Sequence, residues 1–245
     1  MTLTVGTGPF GHSPGKFNFD VPTERVEYVE DHPKRIRAKL GGETVVDSRG
    51  VRFLWVHGRL PRFFFPEEDV RVEEVERHDN PALDGYVHVP WQAVDEWFEE
   101  DEPAIVHARD PYHRIDVLDT SRDVSITVHG EVVAETTRAR ALFETGLPTR
   151  WYIPQEDVRM KLLEGSDLET GCAYKGFASY WSVRAGGELE RNLVWTYRDP
   201  RPEAERIRDM LCFFNERVDM ELDGELQERP VGPWSRPIEG PQTPP

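Results

Sequence analysis

Residues 42–71 read GETVVDSRGVRFLWVHGRLPRFFFPEEDVR, and residues 130–159 read GEVVAETTRARALFETGLPTRWYIPQEDVR. The two stretches align without a gap at an offset of 88, and 12 of 30 positions are identical. Among the identities are Arg52/Arg140, Gly58/Gly146, Arg62/Arg150, Pro66/Pro154 and the run Glu68-Asp-Val-Arg71/Glu156-Asp-Val-Arg159. A period of 88 is too long for a solenoid, so the chain reads as two related domains. Each copy carries a strand, a Gly turn and a second strand: Ile36, Ala38 and Leu40 precede Gly41-Gly42, and Ile126 and Val128 precede His129-Gly130. That is a hairpin signal. An apolar stretch follows, then Phe63-Phe64-Phe65-Pro66 or Trp151-Tyr152-Ile153-Pro154. Proline cannot donate to a ladder, so each strand should stop there, and the acids after it suit the first turn of a short helix.

Working outward, the copies differ in length. The second inserts residues 172–197, with a turn at Gly186-Gly187, which reads as a further hairpin absent from the first. Ile207, Met210, Leu211 and Phe214 after Pro202, and Val94, Trp97 and Phe98 after Pro90, have helical spacing. The expected fold class is α+β, mostly β: two related β-rich domains, each with a short amphipathic helix. The expected divisions are an N-terminal arm over 1–30, a reduced first domain over 31–121, a complete second domain over 122–229 and a mobile Pro-rich tail over 230–245.

Composition narrows the function. The 245 residues carry 30 basic and 46 acidic side chains, a formal charge of −16. Such acidity argues against nucleic-acid binding, because phosphates would be repelled. No apolar run approaches 18 residues, so no membrane partner is expected, and the start lacks the basic end and apolar stretch of a signal peptide. A cytoplasmic location is expected. The two cysteines, Cys172 and Cys212, form neither a disulfide framework nor a zinc spacing.

Three groups of residues stand out. The first is aromatic with one cation: Trp151, Tyr152, Tyr174, Lys175, Tyr180, Trp181 and Trp195, with Tyr197. Such rings can wall a pocket for a planar or cationic small molecule, and they can equally pack a core. Alternation along a strand puts Tyr180 and Trp181 on opposite faces. The second is His107-x-x-Asp110-x-x-His113-x-x-Asp116, with Arg109, Tyr112 and Arg114 interleaved. His107, Asp110 and His113 could serve acid–base chemistry or, with Asp116, hold a metal, although Pro111 breaks a helix there and a polar turn reads more simply. The third is the shared set Arg52, Arg71, Arg140 and Arg159, which internal salt bridges explain more simply than a ligand. The acidic run 95–102 reads as a solvated helix face.

The hairpin, the P-x-E-D-V-R run and C-x-Y-K-G-x-A-x-Y-W at 172–181 together resemble domain-of-unknown-function family 427, in a tandem form, from Phe17 to about Asp223. The resemblance implies small domains similar to the β-tent group, which often carry zinc on two C-x-x-C pairs. This sequence has no such pair, so zinc is not carried over. The family's nucleotidyltransferase label finds no G-S pair followed by D-x-D here. The resemblance also raises Tyr174, Lys175, Gly176, Tyr180 and Trp181, and the group His107, Arg109, Asp110, Tyr112, His113 and Arg114. The leading expectation is a small-molecule binder, with its pocket in the second domain or where that meets the His107–Asp116 segment. The alternatives are a hydrolase- or transferase-type enzyme with His113 as general base or metal ligand, and a protein-interaction module. Cofactor and oligomeric state are not legible from the sequence.

Overall fold

The computed structural model describes residues 27–56, 59–231 and 233–235. Most of the expected arm, the end of the expected tail, and the shared Gly58 lie outside the described residues. Contacts divide the chain after Tyr112 into two compact units. The first contains β1 (Glu27–Asp31), β2 (Ile36–Leu40), β3 (Glu43–Ser48), β4 (Arg52–Val56), β5 (Arg62–Pro66), β6 (Tyr86–Val87), β7 (Glu96–Glu99) and β8 (Glu102–Ala104). They form two four-stranded sheets, β1-β4-β5-β6 and β3-β2-β7-β8. Phe53, Phe63 and Phe65 of one share a core with Ile36, Ala38 and Trp97 of the other.

The second unit repeats this plan. It contains β9 (Ile115–Asp119), β10 (Val124–Val128), β11 (Glu131–Thr136), β12 (Arg140–Glu144), β13 (Arg150–Ile153), β14 (Leu163–Cys172), β15 (Gly176–Ala185), β16 (Glu188–Tyr197), β17 (Leu211–Phe213), β18 (Asp219–Leu222) and β19 (Glu225–Leu226). One sheet is β11-β10-β18-β19, and the other is β14-β15-β16-β17-β13-β12-β9. β9 to β13 stand at the offset of 88 from β1 to β5. Even the irregularities repeat. A register shift falls between Ala38 and Lys39, and again between Ile126 and Thr127. Single bridges join Val46 to Val70 and Ala134 to Val158. The first unit's main sheet stops at β6, the counterpart of β17, and β14, β15 and β16 extend the second beyond that position. The inserted hairpin is thus present as read.

Two mostly β units agree with the expected class, and the amphipathic helices do not. After Pro90 and Pro202 the chain makes only short 3-10 turns, Trp91–Ala93 and Pro202–Ile207, then enters β7 and β17. Residues 210–216 are all buried, so Met210, Leu211 and Phe214 fit a helical spacing without being helical. Asp209 at φ 58° ends the turn, and the free sides of β13 and β16 supply ladder partners that so short a helix cannot match. The acidic run is likewise not helical but passes through β7, a turn and the start of β8: Asp95, just before β7, accepts a hydrogen bond from the Gly41 amide, and Glu99 is buried against Lys34. The Pro66 and Pro154 segments do open short 3-10 turns, Glu67–Asp69 and Gln155–Asp157.

Candidate functional site

Side chains alternate across a strand, so each large sheet has two different faces. In the second unit Leu118, Ala141, Phe143 and Trp151 occupy one face. Register confirms it: Leu118 pairs with Ala141, and Ala141 with Trp151. This face looks toward β18, and between the two sheets lies a cleft of about 550 Å3. Leu118, Ala141, Phe143, Trp151, Met220 and Leu222 give it apolar walls. Its charged groups include Arg122, whose guanidinium stands 5.6 Å from the Trp151 ring centre while its Nε donates to Asp223 at 2.6 Å.

The first unit has the same positions, filled. At the offset of 88, Ala141, Phe143 and Trp151 correspond to Phe53, Trp55 and Phe63. Ala38 pairs with Trp97 as its counterpart Ile126 pairs with Met220, so Trp97 stands where Met220 does. Phe53 and Phe63 lie 5.1 Å apart, and Phe65 stacks on Trp97 at 6.0 Å. His32, the counterpart of Thr120, is wedged 5.0 Å from Phe53 with neither ring nitrogen hydrogen-bonded. Burial and the nearby Lys34 charge hold its pKa down to about 4.

The opposite face of the second unit's large sheet is polar and sealed. Tyr152, Cys212, Trp195 and Tyr180 form one cross-strand row. The Trp195 indole donates to the Tyr152 hydroxyl at 3.1 Å, and Tyr180 bonds Thr170 at 2.8 Å. Lys175, brought in by the β14–β15 turn, makes a buried ion pair with Glu144 of β12. The other Glu144 oxygen takes the His113 Nε2 at 3.0 Å, and His113 stacks on Tyr174 at 3.9 Å. Burial pushes the Glu144 carboxyl up, but the Lys175 charge and the His113 hydrogen bond outweigh it and hold it at about 2. Burial would push Lys175 down, but the Glu144 carboxylate paired with it helps hold it above its ordinary value instead. A second buried pair, Arg150 with Glu216 at 2.7 Å, lies against Trp195 and Phe214. Burial raises the Cys212 thiol well above the ordinary range.

The expected pocket residues therefore divide. Trp151 lines the cleft, while Tyr152, Tyr174, Lys175, Tyr180 and Trp195 pack on the other side of the sheet, and Trp181 is half-buried against the main core. Tyr180 and Trp181 do face opposite ways. His107 bonds the Ala108 carbonyl, Asp110 accepts from the Tyr112 amide at 2.8 Å, and Arg109 is half-buried in the same unit. His113 belongs to the second unit, and Asp116 pairs with Arg114. Among the described residues no three His, Cys, Asp or Glu stand close enough to hold a metal ion. The metal-assisted form of the enzyme expectation thus gains no donor set. Arg52 and Arg140 make matching pairs with Asp31 and Asp119, as structural arginines should.

Sequence reading missed Arg122, Ala141, Phe143, Met220, Leu222 and Glu144. One signal was present for two of them. The gapless repeat sets Ala141 against Phe53 and Glu144 against Val56, a lost ring and an added carboxylate.

A family profile described as a domain of unknown function (DUF427) matches residues 28–99 and 116–224, one stretch in each unit. No curated protein matches the chain. Among the described residues no helix is long and apolar enough to cross a membrane.

Proposed function

The chain belongs to the DUF427 family, carrying two copies in tandem, and from that premise we propose that it binds a small molecule in the inter-sheet cleft of its second unit. The observation that carries this is the contrast between equivalent positions. Phe53, Phe63 and Trp97 fill the first unit, whereas Ala141, Trp151 and Met220 border an opening of about 550 Å3. That volume falls within the range of roughly 300–1,000 Å3 common for ligand sites. The apolar walls suit a largely apolar ligand, with the Arg122 N–H groups not held by Asp223 able to meet an anionic or carbonyl edge. Lys175 has no free charge to offer, since Glu144 uses it. Its part is to hold the sheet behind the cleft.

Native mass spectrometry of the purified full chain, with anilinonaphthalene sulfonate as an added probe, tests this reading. Wild type should retain an organic mass or bind one probe per chain, and Ala141→Phe should do neither while keeping its melting temperature. Equal binding by both proteins, or none by wild type, ends the proposal.

One geometry favours a second reading. His113 is oriented by the buried Glu144 carboxylate, as a general base would be. In that reading Glu144 takes the role expected of Asp110 or Asp116. Its test is whether His113→Asn removes a turnover while the fold persists.

A further inference from the structure

The mouth of the first unit's sheet pair carries a cluster of a different kind. Tyr28 pairs with Trp55 across β1 and β4, and Glu30 pairs with Phe53 beside them, so all four side chains share a face. The Trp55 ring centre lies 5.5 Å from Tyr28 and 5.5 Å from Tyr112, tilted by 38° and 48°. Both phenols donate to one Glu30 oxygen, Oε2, at 3.0 Å and 2.7 Å. Tyr28 is 53% exposed and Tyr112 44%. Two exposed phenols, the half-buried Trp55 ring and a carboxylate are thus fixed together.

This chain habitually covers its rings with its own cations. Arg37 and Lys39 stand over Phe98, Arg52 over Tyr86, Arg122 over Trp151 and Arg198 over Trp181. Among the described residues no Lys or Arg stands over Tyr28, Trp55 or Tyr112. The counterparts in the second unit are Asp116, Leu118 and Phe143, so the arrangement is particular to the first.

We propose that Tyr28, Trp55, Tyr112 and Glu30 form a site for an alkylated ammonium ion, separate from the second unit's cleft. Ring faces attract a cation through their quadrupoles, Glu30 supplies the opposite charge, and the net charge of −16 draws cations to the surface. The phenols already donate to Glu30, which leaves ring faces and one carboxylate oxygen. That set satisfies a quaternary ammonium, which has no N–H to donate. It serves a guanidinium poorly, because five donors would want acceptors.

The test is titration of the full-length protein with choline, with a short peptide carrying trimethyl-lysine, and with acetyl-arginine amide, followed by the Trp55 indole resonance. Choline should shift that resonance saturably. Glu30→Gln and, separately, Tyr28→Leu should each weaken binding at least ten-fold without moving the melting temperature. Binding of the peptide but not choline supports the site and makes its source a modified protein tail. Binding of both supports the bare ion. A Trp55 resonance unmoved by either, equal affinity in both variants, or arginine amide binding as well as choline overturns the proposal.

Discussion

The two repeats spend the same scaffold in opposite ways. In the first unit the space between sheets is packed with Phe53, Phe63, Phe65 and Trp97, and the outer face carries a plain apolar cluster of Leu54, Val56, Phe64 and Leu83. In the second unit the inter-sheet space opens into a cleft, and the outer face holds charge. Val56 is replaced by Glu144 and Phe64 by Tyr152, beneath a hairpin the first unit lacks. Equivalent backbone therefore does not imply equivalent chemistry. Where one copy has a filled cleft it can have a dry outer face, and where a hairpin seals the outer face, polar groups can be buried there with partners.

The comparison breaks most sharply at the buried ion pair. Lys175→Met leaves the buried Glu144 without its lysine, with only His113 still bonded to it, and should cost about 3–5 kcal/mol in urea denaturation. Adding Glu144→Val, which restores the first unit's residue, should recover much of that loss. A double variant as weak as the single one would show that the pair is not coupled. The inter-sheet positions come next. Phe53→Ala should cost about 3–5 kcal/mol, because it empties a packed core. Ala141→Phe, the reverse change at the equivalent place, should cost under about 1 kcal/mol, because the ring enters open space. Similar losses at both positions would mean the cleft is not open in solution.

Acid should separate the units more gently. His32 is held at about 4 against an ordinary 6.5, so the folded state binds its proton more weakly than the unfolded state. Its contribution is complete above pH 6.5 and fades as pH falls toward 4. Glu144 is held at about 2 against 4.5, so its contribution is complete above pH 4.5 and fades as pH falls toward 2. Hydrogen exchange resolved by residue should find the first unit loosening at pH 5, before the second, and His32→Leu should remove that early loss. Simultaneous loosening would refute the ordering. The smallest effect is expected at the repeated surface pairs. Arg52→Gln and Arg140→Gln should leave the denaturation midpoint within error, since exposed ion pairs contribute little.

Several of these features were legible from residue order. The offset of 88 announced two related units, the Gly turns announced hairpins, and the insertion after Cys172 announced extra strands. Each rests on local chemistry: a glycine at positive φ, a proline that stops a ladder, and alternation of apolar residues. The helices were misread because a fully buried run satisfies helical and strand spacing alike, and neighbouring strand edges choose between them. The aromatic list was right in membership for a core and mixed in direction. Trp151 and Tyr152 are neighbours in sequence, yet one meets the cleft and the other meets Trp195.

By itself, then, the sequence determined duplication, β content, the extra hairpin and the acidic surface, because these follow from local spacing and composition. Only the tertiary structure decided that Ala141 opens a cleft where Phe53 closes one, that Lys175 spends its charge on Glu144 rather than on a ligand, and that Tyr28 and Tyr112 meet at Glu30. Those outcomes join residues 31 to 84 positions apart. No local pattern encodes such meetings, and strand register and sheet packing bring them about.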